Sequence, residues 1–394
     1  MNRYAISTPE GTRDRLFGAT RLFRQNERRI RNLFEERGFD EVITPSVEYY
    51  DVFTQAQSSL GLERMYKITD RNGRLLVLRP DNTTPIARVV STKLNEDVLP
   101  LRLYYMQKVH RASSFHRGHS TEVMQGGVEL MGASGMMADL DILTCAFEAL
   151  EAVGGNNFRI ELGHAGIYRA LIRSLDIDRE GAENIRRLIE NKTYAALRDA
   201  LEPFKDQEAY HALLAMPTLF GGSDVLDEVK NLTSNEKVLA ATAYLKKLMD
   251  AIAAAGFADN VMIDLGLVHG MDYYTGMMFC GYMGGAGSTV LQGGRYDHLC
   301  GHFGKDIPAT GFAIDIDALS GTVELASETA VTELVFTDAA NLQKALTYIH
   351  ESNKTAELAP CDTAEEAMAI AAKKHIPTLV SFAEGTMTKK EVQA

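Results

Sequence analysis

Three short clusters in this 394-residue chain carry side chains that could recognise a small polar molecule. Asp81 and Thr83 stand two apart at the head of a helix-like run, where a side-chain oxygen can accept from free amide N–H groups as an N-cap. Gln125 and Glu129 are four apart in a strand-like run and share one face. That placement suits a buried polar network as well as a ligand slot. Tyr273 and Tyr274 are neighbours, so in a strand they point to opposite faces and at most one meets a ligand directly. Gly293-Gly-Arg-Tyr-Asp297 reads either as a strand-to-helix turn, with Arg295 paired to a core acid, or as part of a site. His298 and His302 are four apart and could bind a metal on a helix, but packed or solvated imidazoles are the commoner use. Cys145, Cys280, Cys300 and Cys361 show no CxxC spacing and read as reduced thiols rather than metal ligands or disulfides. No catalytic residue, metal or cofactor is indicated.

Positioning these groups requires a mixed framework. Apolar residues recur at helical spacing from about 18 to 37, and Gly38 suits a stop. Glu41–Val47 reads as a strand that Pro45 confines to an edge or an end. Strands are expected at 75–79 and 101–109 around a helix at 83–94, then a helix at 136–152 and a strand at 158–162. From about 168 to 255 helical patterns dominate, as an insertion into a mainly antiparallel sheet. Strands resume at 261–265, 273–282, 287–291 and 311–314. After about 320 a small α/β unit is expected, with strands at 331–336 and 377–382 and helices at 339–352 and 363–374. The domain reading is therefore 1–320, including the insertion, and 321–394.

Hydrophobic residues make up 45% of the chain, enough for a substantial core. The formal net charge of -12 weighs against a nucleic-acid binder, because that affinity rests on Lys and Arg neutralising phosphates. No apolar run approaches the ~18 residues of a membrane span, and no basic-then-apolar leader precedes the first helix. The expectation is a cytoplasmic protein with no membrane association.

The motifs also carry a resemblance. Leu267-Val-His-Gly-Met-Asp-Tyr-Tyr-Thr-Gly276 resembles the histidine-specific signature of histidyl-tRNA synthetases, with His269 where that family has arginine. Val42-Ile-Thr-Pro45, Leu78-Arg-Pro-Asp-Asn-Thr-Thr84, Val109-His-Arg111 through Gln125-Gly-Gly-Val-Glu129, Gly293–Asp297 and Gly311–Leu319 resemble further motifs of that family, in its order. The fold implied is α+β: a class II aminoacyl-tRNA synthetase-like antiparallel sheet flanked by helices, with a helical insertion and a small C-terminal α/β unit. The resemblance implies that Asp81 receives an ammonium group beside Thr83, with Arg111 surviving from motif 2. It further implies that Gln125 and Glu129 face an imidazole and that Tyr273 and Tyr274 complete its walls.

The nucleotide half departs from the pattern. Ser113 replaces the glutamate that would hold adenine, Thr121 a loop arginine, Asp315 a glycine and Ala318 the arginine that clamps the γ-phosphate. One missing transition-state donor alone costs about 100–1,000-fold in rate. An imidazole at position 269 is shorter than a guanidinium and lacks its five donors. This combination resembles the synthetase-like regulatory subunits of ATP phosphoribosyltransferase. The resemblance implies a non-catalytic chain of histidine biosynthesis that activates a short catalytic subunit and confers feedback inhibition by histidine. It also implies dimerisation through the motif 1 region within a hetero-octamer. Two alternatives are a divergent histidyl-tRNA synthetase and a tRNA-sensing pseudo-synthetase. The last 64 residues, with six Lys/Arg against nine Asp/Glu, suit an anticodon reader poorly.

Overall fold

Helix α1 (Phe17–Glu36) shows how the sequence begins to build the site's support. Phe23, Ile30 and Phe34 fall on one stripe and are buried, together with Asn26 and Glu27. The helix stops where Gly38 adopts φ +74, a left-handed conformation that glycine takes without steric cost. The computed structural model describes residues 6–55, 61–112, 120–268, 274–319, 331–383 and 385–392. The chain divides into two compact units, Met1–Glu324 and Leu325–Ala394.

The first unit continues with β1 (Asp40–Glu41), β2 (Val47–Tyr49), α2 (Tyr50–Gln55), β3 (Lys67–Thr69), β4 (Leu75–Leu78), α3 (Thr83–Thr92), β5 (Leu101–His110), β6 (Glu122–Met131), α4 (Met136–Gly154) and β7 (Phe158–His164). The insertion supplies α5 (Ala165–Ile172), α6 (Arg179–Glu190), α7 (Tyr194–Leu201), α8 (Glu208–Ala215), β8 (Phe220–Gly221), α9 (Val225–Glu228) and α10 (Glu236–Ala254). The unit closes with β9 (Val261–Asp264), β10 (Met277–Met283), β11 (Leu291–Arg295), β12 (Ala309–Asp315) and α11 (Ile316–Leu319). Nine strands form one sheet in the order β1-β5-β6-β12-β11-β10-β7-β9-β8, and β2-β4-β3 form a small second sheet. In the large sheet, β1·β5 and β7·β9 are parallel and the other described pairs antiparallel. One face of this sheet buries Tyr104, Met106, Val128, Leu130, Phe312 and Ile314 in a core shared with residues of α1 and α4. The other face carries the candidate site.

Four expectations need correction. The strand expected at 41–47 is two strands in different sheets. Pro45 cannot donate to a ladder, and the carbonyls of Thr44 and Pro45 accept from buried Arg79, at 2.7 and 3.2 Å, instead of from a neighbouring strand. The strand expected at 273–282 spans 277–283: the Thr275 amide donates to the Arg295 carbonyl and its hydroxyl to Asp297, holding that segment as a loop. The strand expected at 287–291 lies at 291–295. Inside it, a Cβ at Gly293 would strike Phe312 and the Gly311 carbonyl, so glycine serves close strand approach there, not a strand-to-helix turn. The insertion is not wholly helical, because β8 extends the sheet at its edge.

The second unit contains β13 (Glu333–Thr337), α12 (Leu342–Glu351), β14 (Ala356–Leu358), α13 (Ala364–Lys373), β15 (Thr378–Ala383) and β16 (Thr386–Glu391), with strand order β14-β13-β15-β16. Strands β14 and β16 were not expected. The latter is exposed along its whole length and lacks the apolar alternation that marks a strand in sequence.

Candidate functional site

The register of the large sheet explains why Gln125 and Glu129 occupy one surface. Row by row across β5, β6 and β12, Leu103 lies opposite Glu129 and then Gly311, Tyr105 opposite Gly127 and Ala313, and Gln107 opposite Gln125 and Asp315. Gly294 of β11 continues the first row. The surface is a floor of small residues with polar groups rising from it. The small residues are required there. A Cβ on Gly311 would strike the Glu129 carboxylate, and one on Gly127 would strike the Tyr105 ring and hydroxyl. One on Gly294 would strike the Tyr274 ring.

Glu129 is the centre of the arrangement. It is 1% exposed. One carboxylate oxygen accepts from the Thr83 hydroxyl at 2.6 Å, and the other accepts from the Tyr296 hydroxyl. Burial pushes its pKa up to about 8, and the charge of Asp81 adds to the rise against the effect of the two hydroxyls. Near neutral pH the carboxyl therefore retains its proton. It can donate to a neutral imidazole nitrogen or, once ionised, accept from an imidazolium N–H. Tyr105 is fully buried beside Glu129 and Thr83, and desolvation holds its phenol well above the ordinary range. Burial likewise raises the Tyr274 phenol, with the charges of Cys280 and Glu129 contributing.

Asp81 does act on the helix that follows it. Its carboxylate accepts from the Thr84 amide at 2.8 Å and the Thr84 hydroxyl at 3.2 Å, at the first turn of α3. Burial raises its pKa, while the Thr84 bonds and the Arg111 charge oppose the rise. Arg111 donates from Nε to the Pro80 carbonyl at 2.8 Å. Buried Asn82 donates to Gln125 and to the Gln107 carbonyl, both at 3.4 Å. The structure thus brings Asp81, Thr83, Arg111, Gln125, Glu129 and Tyr274 into one region. Tyr273 and His269 lie outside the described residues, as does Ser113.

Sequence reasoning missed Tyr105, Asn82, Gln107 and Tyr296. Period-two alternation along β5 could have found Tyr105 and Gln107, because both share a face with the β6 pair. Tyr296 sits in a motif already singled out, but its reach to Glu129 depends on long-range sheet register. Arg295 of that motif pairs with Asp139 at 2.6 Å and Asp297 at 3.0 Å, with Asp139 1% exposed, so it meets the core acid that the structural alternative required.

The nucleotide half is occupied by its own contacts. Asp315 ends β12 and accepts from the Ala318 amide at 3.0 Å, capping α11. Asp317 accepts from the Met124 amide at 2.8 Å and forms ion pairs with Arg15 and, at 3.6 Å, Arg13. Thr121 is buried; its amide donates to the Gly11 carbonyl at 2.8 Å. Among the described residues no group of three or more His, Cys, Asp or Glu could hold a metal ion, the four cysteines are free, and no helix is long and apolar enough to cross a membrane.

Sheet order, the glycine floor and the paired Glu129 define a class II synthetase-like protein of the histidyl type. The histidyl-tRNA synthetase family model matches residues 11–319. A histidyl-tRNA synthetase from Nostoc sp. superposes with a TM-score of 0.77 over 98% of this chain and 97% of that one at 21% identity, a likeness of fold alone. A structure described as an ATP phosphoribosyltransferase regulatory subunit/histidyl-tRNA synthetase from Bacillus halodurans superposes with a TM-score of 0.84 at 29% identity, covering 94% and 97% of the two chains. The ATP phosphoribosyltransferase regulatory subunit of Clostridium acetobutylicum is 37% identical over 368 residues, 91% of this chain and 90% of that protein. That of Clostridium novyi is 40% identical over 320 residues, 80% of this chain and 76% of that protein. The chain belongs to the family of ATP phosphoribosyltransferase regulatory subunits.

Proposed function

We propose that this chain is the non-catalytic partner of a short ATP phosphoribosyltransferase catalytic subunit, which it activates and renders sensitive to histidine. Histidine is the proposed ligand of the region that holds Asp81, Thr83, Arg111, Gln125, Glu129 and Tyr274, with Tyr273 assigned to it by resemblance alone. The observation that carries this reading is Glu129, a carboxyl buried between two hydroxyls on a glycine floor, where it can match either protonation state of an imidazole. Asp81 is the proposed partner of the ammonium group, in addition to capping α3 through Thr84. Such a pocket regulates only if its affinity differs between active and inhibited assemblies.

Aminoacylation is not part of this reading. Ala318 offers no guanidinium to a γ-phosphate, and Asp315 and Asp317 put acids beside the space it would need. No nucleic-acid partner is proposed, given the net charge of -12. Exposed Ile43, Tyr49, Ile68 and Leu75 around the small sheet support self-association as a dimer in the motif 1 region, within a cytoplasmic hetero-octamer of four chains of each kind.

The test is reconstitution with a short-form catalytic subunit. The wild-type chain should raise its rate and confer inhibition by histidine. A Glu129→Ala chain should still activate but lose most of the histidine response. Unchanged inhibition by histidine would remove this pocket from consideration.

A further inference from the structure

A second cleft lies away from Glu129, between α5 and α10 of the insertion and beside the end of β7. It encloses about 820 Å³ and is lined by His164, Arg169, Arg173, Lys237, Tyr244 and the small side chains of α5 and α10. A volume of that order suits a small-molecule ligand rather than an ion.

Two chemistries meet in it. Gly166, Ala170, Ala240 and Ala241 form its small apolar wall, which serves as the floor of the cleft. The lining is also cationic: Arg169 of α5, Arg173 at its C-cap and Lys237 of α10, against Glu236 as the lining's acid. Among the described residues neither Arg173 nor Lys237 forms an ion pair. The amides at the start of α10 are already spent, since Asn235 accepts from Lys237 at 3.1 Å and Val238 at 3.3 Å. The side chains, not the helix terminus, therefore provide the charge. His164 accepts from the Gly166 amide through Nδ1 at 3.0 Å, which leaves its proton on Nε2 as a further donor. Burial keeps this imidazole neutral, with a pKa lowered to about 4. Its ring meets Tyr244 edge-on at 6.0 Å.

We infer that this cleft binds a phosphate monoester carrying a planar ring, of nucleoside monophosphate size, with the phosphate at Arg173 and Lys237 and the ring on the alanine floor. The site is separate from the Glu129 pocket and does not depend on what that pocket binds. It has a route to it nonetheless. Arg169 donates to the Tyr274 carbonyl, so an occupant of the cleft shares a donor with the loop that borders Glu129.

AMP is the probe, titrated calorimetrically into the full chain alone. Saturable binding is expected, with adenosine and inorganic phosphate each weaker by ~10-fold or more, as the loss of one charge-assisted contact or of the ring implies. Arg173→Glu combined with Lys237→Glu, both at exposed positions, should weaken AMP by at least ~10-fold. Ala240→Phe should do the same by filling the floor without changing charge. Circular dichroism would verify that each variant is folded. No saturable AMP binding at millimolar concentration, equal binding of phosphate alone, or binding indifferent to all these substitutions overturns the assignment.

Discussion

The two halves of the candidate site, the Glu129 half and the Asp315–Asp317 half, are built oppositely. Around Glu129, two hydroxyls are paired to a buried carboxyl on a floor kept clear by Gly127, Gly294 and Gly311. Around Asp315 and Asp317, charges are turned onto the protein itself: one acid caps α11 and the other takes Arg15 and Arg13. The first half keeps its polar groups buried around a floor of small residues. The second has neutralised its own cations with acids, which a polyphosphate would have to displace. The two halves use different side chains of one sheet face, so the polar groups of one can change while those of the other stay in place.

Breaking the first half should have the largest effect. Glu129→Ala leaves the Thr83 and Tyr296 hydroxyls without their shared partner and should weaken histidine binding by ~100-fold, about 3 kcal/mol, measured calorimetrically. Loss of less than threefold would place histidine elsewhere.

A pH comparison sharpens the same point. Glu129 has a folded pKa of about 8 against an ordinary value of 4.5. The folded state therefore binds the extra proton between these values. Its stabilising contribution is complete below pH 4.5 and is lost as pH rises through 8. Glu129→Gln, a neutral isostere, should remove that part of the dependence, so urea unfolding at pH 6 and pH 9 should show a smaller difference than in wild type, by an amount on the order of a few kcal/mol. Identical pH dependence in the two proteins would mean that Glu129 is ionised when buried.

Gly311→Ala tests the floor. A methyl group there meets the Glu129 carboxylate and the Val128 carbonyl. It should cost about 1–3 kcal/mol in stability through overpacking, seen by denaturation, and weaken histidine further than the stability loss alone explains. The smallest change is expected in the other half. Ala318→Arg returns a guanidinium but leaves Asp315 and Asp317 in place, so ATP affinity by equilibrium dialysis should stay at background. A large gain would mean that a single side chain had closed that half.

The sequence made the helices and the alternation of β6 legible, because each is written in local spacing. It also carried both roles of Asp81 and the core-acid partner of Arg295 as open alternatives. Three things were hidden for physical reasons. The break at Pro45 depends on Arg79, thirty-four residues away, capturing the carbonyls that a strand would have used. The partnership of Tyr296 with Glu129 spans 167 residues and follows from sheet register, which no local pattern encodes. Strand β16 has no buried side to leave a hydrophobic trace.

Histidine-dependent exchange of labelled pyrophosphate into ATP tests the asymmetry most directly, run beside calorimetric titration of histidine into the same preparation of this chain with its catalytic partner. The account predicts saturable histidine binding and exchange indistinguishable from a no-enzyme control. Exchange that rises with histidine and falls in a Glu129→Ala chain would contradict it.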